Sequence, residues 1–520
     1  ITAGGAINIT DVNTNVATLA VNAAGQTVTF TDANGIDIGA VNGVTGITAG
    51  AFNLTAGGAV TDSNALTVSG ATTLVAGAGN DITLNNAANN FAAVAVTSGR
   101  NVALRDVNAL VLGMSTVSGT LDVTTAGAVT QSGAVAVAGT TTLVAGAGND
   151  ITLDNAANSF STVAVTSGRN VVLTDANALT LGPSTVSGTL GVTTAGTVAQ
   201  SGVLTVSGAT TLVAGAGNDI TLNNAANNFA AVAVTSGRNV ALRDVNALVL
   251  GMSTVSGTLD VTTAGAVTQS GAVAVAGTTT LVAGAGNDTT LNNTANNFAA
   301  VAVTSGRNVV LTDTNALTLN ASSVSGTFDV TAANGVTVSD NVTTNGATTL
   351  NADSDNNGSG VFTIAAARTL ATTNNALSIT ANKMVLTGAL NSGATITSLI
   401  ASNGAAINLG SGTDVAGNTV ELSNAELQSV AAGLLQIGSG AAGAITVSAD
   451  VTPGPTALHL ISGSSVTATA GGIIETGLAI TAGGAVTVTD TNTDVGTLAI
   501  SAAGQAVTFT DANSLDIGAV

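Results

Sequence analysis

Residues 73–84 read TLVAGAGNDITL, residues 94–106 read VAVTSGRNVALRD, and residues 121–133 read LDVTTAGAVTQSG. In each phrase, alternating apolar and polar residues lead into a glycine-containing turn and then a second alternating stretch. Alternation places every second side chain on one face of a β-strand, and Gly, Asn and Asp favour the turns between strands. Each phrase therefore predicts a strand–turn–strand unit that buries its apolar face only by stacking on copies of itself.

A 69-residue repeat joins these phrases into a larger unit. A phenylalanine and an arginine recur at this spacing: Phe91, Phe160, Phe229 and Phe298, and Arg100, Arg169, Arg238 and Arg307. We therefore divide residues 66–335 into four 69-residue repeats. The segment Leu66–Asp150 recurs unchanged two repeats later as Leu204–Asp288. The turn glycines of the first repeat predict three coils of about 23 residues each. They are Gly79, Gly99, Gly127 and Gly148.

A still longer repeat relates the two ends of the sequence. Residues 1–41 match residues 480–520 at an offset of 479, with 30 of 41 positions identical. We expect residues 1–65 to be the end of the region that starts one large repeat, and residues 480–520 to restart it. The chain is accordingly expected to be an internal fragment of a longer protein that carries several such units.

The stretch between these regions is less regular. We expect residues 336–479 to form irregular coils, with a loop at Pro453-Gly454-Pro455. A short helix is predicted near 423–433, where the sequence is SNAELQSVAAG and either Ser423 or Asn424 serves as the N-cap.

The composition agrees with a stacked array of strands. Of the 520 residues, 64 are Gly and 45% are hydrophobic, yet only 2% are aromatic, and there is no Cys, Trp or Tyr. The apolar side chains are therefore mainly Ala, Val, Ile and Leu, whereas an ordinary globular core uses large rings for much of its burial. The absence of cysteine excludes disulfides and thiolate metal sites. We predict an all-β fold for residues 1–520, one continuous single-stranded parallel β-helix (β-solenoid) of about 20–23 residues per coil.

The charge balance limits the classes of partner. The chain has 28 acidic and 8 basic residues, for a net charge of −20. Nucleic-acid binding requires a basic surface, and so does docking on anionic lipid, so we predict neither. The sequence also contains no apolar run long enough to span a bilayer, which argues against membrane insertion in this segment.

Several phrases together resemble a known group of proteins. TTLVAGAGNDITLNNAANNF from Thr72 and LSNAELQSVAAGLLQIGSGAAGAITV from Leu422 are similar to the repeat shafts of filamentous-haemagglutinin-like bacterial exoproteins of the two-partner secretion type. The resemblance covers nearly the whole chain and marks the type of shaft. It implies a right-handed parallel β-helix and export to the bacterial surface or beyond. It also implies adhesion, biofilm or sheath building, and sometimes toxin delivery.

The leading hypothesis for function is therefore a structural shaft of a secreted or cell-surface bacterial fibre that associates with copies of itself. One alternative is an adhesin that binds glycans or the surfaces of host or neighbouring cells along its length. Another is the stalk of a contact-dependent toxin-delivery protein. We predict that the chain is not an enzyme, because His459 is the only histidine and the three glutamates show no pairing pattern. No catalytic residue and no cofactor are predicted.

Two segments carry calcium-like patterns. In AGAGNDITL, Gly77, Gly79 and Asp81 fit the calcium-binding nonapeptide, but the pattern occurs once per 69-residue repeat and not in successive nonapeptides, which favours a turn with a capping Asp. In DSDNNGSG, Asp353, Asp355 and Asn357 alternate as in the start of an EF-hand loop, although the twelfth position is Ile364 instead of Glu. A solvated loop and a calcium site both remain open there, and these three residues are the metal candidate of the chain.

The recurring arginines and asparagines have structural interpretations. Each arginine of the Arg100 series either pairs with the Asp81-type residue of the preceding coil or belongs to a row that grips an acidic glycan. Recurrence with the repeat favours the pair. The recurring asparagines are expected to form buried ladders that stabilise stacked turns, beginning with Asn85, Asn86, Asn89 and Asn90.

Overall fold

The computed structural model describes residues 1–412 and 417–520. The fold is an all-β parallel β-solenoid of about 25 turns with about 20 residues per coil and almost no helix, which confirms the predicted fold class. A right-handed winding is expected for it, because connections between parallel strands of one sheet are right-handed in nearly all proteins. The chain divides into two compact units, residues 1–248 with 254–256, and residues 249–253 with 257–520.

Two broad parallel sheets form the first unit. Sheet 1 contains Ile7–Ile9, Val21–Asp32, Ile47–Ala56, Leu66–Val75, Asn90–Ser98, Leu110–Leu112, Val129–Gln131, Ile151–Leu153, Val171–Asp175, Ser184–Val186, Leu190–Thr194, Leu204–Val213 and Asn228–Ser236. Sheet 2 contains Thr18–Leu19, Ile36–Ile38, Val60–Asp62, Ile82–Leu84, Val102–Asp106, Ser115–Val117, Leu121–Thr125, Val135–Val144, Ser159–Ser167, Leu179–Leu181, Val198–Gln200, Ile220–Leu222 and Val240–Asp244. The strands Leu248–Leu250 and Ser253–Val255 follow along the chain.

The alternation of the sequence decides which side chains enter the core between the sheets. In Val102–Asp106 the first, third and fifth residues are buried, while Ala103 and Arg105 face outward. Burial of a Val or Leu side chain stabilises the fold by about 1.5–3 kcal/mol. Gly99 lies where the chain passes from one sheet to the other, and a Cβ there would be 3.1 Å from Ile82 Cδ1. A side chain at this glycine would therefore require its apolar neighbours to shift by a few tenths of an ångström.

The number of coils in each repeat differs from the prediction. Strands of sheet 2 pair one coil apart, along the path Ile82, Val102, Leu121, Thr141, Val163, Leu181, Gln200 and then the strand Ile220–Leu222. Ile220 is the copy of Ile82 two repeats later. Seven coils thus account for two repeats, and each 69-residue repeat forms three and a half. The prediction of three longer coils per repeat is wrong, because several turns belong to each coil.

The half coil places alternate repeats on opposite sheets. The strand Leu66–Val75 lies in sheet 1, its copy Val135–Val144 in sheet 2, and the next copy Leu204–Val213 in sheet 1 again. Equivalent residues of adjacent repeats consequently face opposite sides of the first unit, whereas equivalent residues two repeats apart face the same side.

One antiparallel hairpin interrupts the parallel array. Ala40–Val41 pairs with Val44–Thr45, and the turn between them is Asn42-Gly43, with φ values of 49° and 83°. An Asn-Gly pair with both φ angles positive is favoured for a two-residue hairpin turn. The hairpin is largely exposed and therefore lies outside the stacked core.

The second unit has more sheets and less regular coils. Sheet 3 contains Val267–Gln269, Thr289–Leu291, Val309–Asp313, Phe328–Ala332, Thr348–Asn351, Leu377–Ala381, Ile396–Ala401, Leu434–Ser439, Ala457–Ser462, Ile474–Ala482, Asp494–Ser501 and Asp516–Ile517. Sheet 4 contains Leu259–Thr263, Val273–Val282, Asn297–Ser305, Leu317–Leu319, Val336–Val338, Val361–Ile364 and Lys383–Leu386. Sheet 5 contains Ser322–Val324, Val342–Thr344, Thr369–Ala371, Ala389–Asn391 and Val430–Ala431, and sheet 6 contains Ala406–Leu409, Thr419–Leu422, Ile445–Val447, Val466–Ala468, Val486–Val488 and Val507–Phe509.

A single short helix is present in the described part of the chain, at Asn424–Gln428. Ser423 is its N-cap, and Ser423 and Glu426 form a reciprocal capping box. The predicted helical segment 423–433 is longer than the helix, because its second half contains the strand Val430–Ala431 of sheet 5.

Candidate functional site

The recurring Asp–Arg pairs are the most regular charged feature of the surface. Arg100 donates from Nε and Nη2 to the two carboxylate oxygens of Asp81, each at 2.8 Å, and Asn101 donates to the same carboxylate. The hydrogen bond from Arg100 lowers the pKa of Asp81 to about 2. The same ion pair joins Arg169 to Asp150, and further copies are Arg238–Asp219 and Arg307–Asp288. The predicted pairing with the preceding coil is confirmed.

The polar groups of the Asp81 turn form their hydrogen bonds with other groups of the protein. Gly77 has a φ of 85°, and Asn80 closes the turn by donating from Nδ2 to the carbonyl of Ala76 at 2.7 Å. Since both oxygens of Asp81 accept hydrogen bonds from Arg100, this geometry is that of a turn whose Asp caps the next coil.

The loop at 353–360 holds the residues of the metal candidate. Asp353 is buried, and its carboxylate accepts hydrogen bonds from Gly358 N, Gly360 N and the Ser402 hydroxyl. Asp355 is exposed and accepts a hydrogen bond of 2.6 Å from Asn357 Nδ2. The carboxylate of Asp353 therefore binds the backbone of its own loop, while Asp355 and Asn357 bind each other. Calcium at this loop stays a prediction.

Buried amides connect successive coils. Asn158 accepts hydrogen bonds from Val135 N at 2.9 Å and from Gln131 Nε2 at 2.8 Å, and it donates back to Gln131 Oε1 at 2.9 Å. The copies Asn227 and Asn296 bind Gln200 and Gln269 in the same way. The prediction of buried asparagine ladders is wrong for Asn85, which is exposed, and for Asn86 and Asn90, which are partly exposed. Only the Asn89 position is buried, and its later copies form Asn–Gln pairs. In the first copy, Asp62 replaces the glutamine and accepts a hydrogen bond of 2.6 Å from Asn89.

A set of buried aspartates that recurs with the repeat was missed in the sequence. The carboxylate of Asp106, which is 2% exposed, accepts hydrogen bonds from Phe91 N at 2.7 Å and Asn108 N at 2.8 Å. Burial raises the pKa of this group, and the copies behave alike: Asp175, Asp244 and Asp313. The recurring triplet Asp-x-Asn at the end of a strand is the sequence signal, because an Asp at a turn accepts from the backbone two residues later.

Glu475 is a second buried carboxyl group that the sequence did not indicate. Its side chain is 9% exposed, Oε1 accepts a hydrogen bond of 2.9 Å from Thr476 N, and Oε2 has no partner among the described residues. Burial raises the pKa of Glu475 to about 7. The residue borders a surface cavity of about 430 Å³, which is lined by Pro453–Thr456, Ile474–Thr476, Asp494 and Gly496.

The other side chains that could bind a metal ion or take part in a reaction do not form a cluster in the part of the chain that the structure describes. Within residues 1–412 and 417–520, no three His, Cys, Asp or Glu side chains come close enough to hold a metal ion. His459 Nε2 lies 2.9 Å from the Thr481 hydroxyl, and burial lowers the pKa of this histidine. None of the helices described here has the length and apolar character needed to cross a membrane.

A protein-family model reproduces the period of the repeat. The family, described as repeats of unknown function (DUF5649), matches residues 25–98, 99–167, 168–236, 237–305 and 306–361. No curated protein and no solved structure matches the chain. Because the family model covers more than half of the sequence, the chain belongs to this family of repeats.

Proposed function

We propose that this chain is a structural shaft segment of a secreted or cell-surface bacterial fibre. The observation that carries the proposal is the unchanged recurrence of Leu66–Asp150 as Leu204–Asp288, in a solenoid where two repeats make an integral seven coils. Tandem copies extend such a fold by adding length without a new core, because each coil contacts only its neighbours. A unique active site gains nothing from this duplication, and we infer no catalytic role.

The family resemblance supports the location in this proposal. The phrases at Thr72 and Leu422 are similar to those of filamentous-haemagglutinin-like shafts, which bacteria export. Immunogold labelling of intact cells with an antibody raised against this chain tests the location. Extracellular filaments that bind the antibody are expected, and label confined to the cell interior contradicts the proposal.

A second candidate, an adhesin that binds glycans, is favoured by one surface feature. A cavity of about 330 Å³ on the first unit is lined by polar groups that include Thr67, Ser69, Asn90 and Asn108. Asn108 Nδ2 donates to Asn90 Oδ1 at 3.1 Å, which leaves other hydroxyl and amide groups available for sugar hydroxyls. The identical sequence recurs two repeats later, so the same cavity lining is expected twice on one side of the first unit.

A glycan array separates the two candidates. The adhesin predicts binding by the whole chain and loss of that binding when Asn90, Asn108 and their copies Asn228 and Asn246 are changed to Ala. The Asn170→Ala change, at an asparagine outside these cavities, is the matched control. An array without signal leaves the shaft as the function and contradicts the adhesin.

A further inference from the structure

Most basic side chains of this acidic protein are neutralised within the chain. Five arginines form ion pairs with aspartates: Arg100, Arg169, Arg238, Arg307 and Arg368. Arg105 and Arg243 are exposed and form no ion pair with any residue in 1–412 or 417–520. These two arginines are copies of each other two repeats apart. The other arginines of the first unit form ion pairs, whereas these two have no ion-pair partner among the described residues.

Both arginines lie on the outer face of sheet 2. Arg105 pairs in register with Thr124 of the next coil, and Ala103 pairs with Asp122, so Arg105 and Asp122 face outward on neighbouring coils. Their Cα atoms are separated by roughly 8 Å, from two residues along a strand and one step between strands. Asp122 is exposed and is not in an ion pair with Arg105. The outer face thus carries a positive and a negative group side by side.

The opposite face of the same unit lacks this charge pattern. The equivalent residues one repeat later are Thr174 and Gly191, which lie on sheet 1 because of the half coil. Arg243 returns to sheet 2, seven coils beyond Arg105, at an axial distance of about 33 Å. The neighbouring outward residues on sheet 2 have short side chains, among them Ala103, Thr124 and Thr142. These side chains therefore project less far from the sheet than the arginines do.

Two copies of a chain with a net charge of −20 repel each other, and cations at their contact that have no partner within the chain reduce this repulsion. A face with adjacent positive and negative groups is complementary to itself after a two-fold rotation, which brings each arginine opposite a carboxylate of the other copy. Exposed ion pairs contribute little each, so such a contact is weak, salt-sensitive and selective for one face.

We propose that the outer face of sheet 2 is a contact surface for a second copy of this chain, in which Arg105 and Arg243 of each copy bind carboxylates of the other, among them Asp122. The proposal rests on the proposed shaft role and deepens it by naming the face through which shafts associate. Sheet 1 stays outside this contact.

Sedimentation velocity of the whole 520-residue chain at low and high salt tests the proposal. The parent chain is expected to dimerise at low salt and to dissociate at high salt. The double variant Arg105→Asp/Arg243→Asp is expected to be monomeric, and so is Asp122→Arg. A mixture of the two variants is expected to form a mixed dimer, because each supplies the charge that the other has lost.

The control is Arg368→Asp, which also changes the net charge by two at each altered position but lies in the second unit. It is expected to dimerise like the parent. A monomeric parent chain, or a dimer that persists in both charge-reversal variants, overturns the proposal. Binding of an anionic polysaccharide such as polygalacturonate by a monomeric parent also overturns it, in favour of a different occupant. None of these outcomes affects the immunogold test of the shaft role.

Discussion

Arg100 and Asp81 lie in turns one coil apart and are joined by two parallel hydrogen bonds of 2.8 Å, and the same pair recurs as Arg169 and Asp150 in the turns on the opposite side of the first unit. The alternation excludes the other interpretation of these arginines, a continuous row along one side of the first unit. The alternation of the pairs between the two sides follows from the half coil in each 69-residue repeat.

The coil number predicts the distance between Arg105 and Arg243. Seven coils place these residues about 33 Å apart along the axis, whereas three coils per repeat would place them about 29 Å apart. The chain has no cysteine, so the Arg105→Cys/Arg243→Cys variant carries two spin labels at defined positions. Pulsed electron–electron double resonance is expected to give the longer distance. A distribution centred near the shorter one contradicts seven coils.

Thr289 is expected to be a weak point of the core. The first three copies have isoleucine at this position, namely Ile82, Ile151 and Ile220, while Thr289 is fully buried and its hydroxyl has no hydrogen-bond partner among the described residues. Thr289→Ile is expected to raise the free energy of unfolding by about 1–2 kcal/mol, because it adds buried apolar surface and removes an unsatisfied hydroxyl. Denaturant unfolding measures the change.

The reverse change at an equivalent position is the control for Thr289. Ile220→Thr is expected to destabilise the chain by about 2 kcal/mol, since it leaves a void and buries a hydroxyl in the same surroundings. Hydrogen exchange near each site shows whether the effects are local. A neutral or destabilising Thr289→Ile variant would mean that the fourth copy is packed differently from the others.

The Asn–Gln pairs are expected to contribute more to stability than polar groups on the surface. Asn158→Ala leaves the buried Val135 N–H without an acceptor, at a cost of about 1–3 kcal/mol. Asn177→Ala removes only an exposed hydrogen bond to Ser159 and is expected to change stability by at most about 0.5 kcal/mol. Equal losses in thermal unfolding of the two variants would contradict the structural role of the buried pair.

Glu475 predicts a local dependence of stability on pH. Burial raises its pKa to about 7, so between the ordinary glutamate range and pH 7 the folded chain retains a proton that the unfolded chain has released. The local free energy of unfolding therefore falls as pH rises through this interval. Hydrogen exchange of the strands Ile474–Ala482 and Asp494–Ser501, corrected for intrinsic rates, is expected to show weaker protection at pH 8 than at pH 5.

Two substitutions isolate the contribution of Glu475. Glu475→Gln removes the titrating group and is expected to make the protection independent of pH in this range. Asp494→Asn, at the edge of the same cavity, is expected to leave the pH dependence of the parent in place. If the glutamine variant keeps the full pH dependence, another group is responsible.

The fold class could be predicted because a local pattern determines it. Alternation at Val102 and Leu104 identifies the inward face of a strand, and repetition identifies stacking. The number of coils could not be predicted, because a turn such as that at Gly127 looks the same whether it ends a coil or joins two sheets within one. Only the pairing of Val102 with Leu121 fixes the interval.

The candidate sites also differ in whether a local sequence pattern determines them. The Asp81–Arg100 pair was predictable, because opposite charges that recur with the repeat are separated by one coil. Glu475 was not, because Leu478 and Ile480 face inward and the neighbouring Gly477 is buried as well. The alternation of inward and outward residues is therefore interrupted between Glu475 and Leu478. Because of this interruption, the side chain of Glu475 points toward the core.

The half coil also bears on how such a sequence can grow. Insertion of one repeat is a screw operation that turns the following coils by half a revolution, so every outward group there changes sides. Insertion of two copies restores the original orientation and only adds length. The segment that recurs without change does so two repeats later, and the intervening copy has Thr174 and Gly191 where its neighbours have Arg and Asp. The duplication that preserves this surface is therefore one of two repeats. Gain or loss of a single repeat would move the charged residues that follow it to the side that is otherwise neutral.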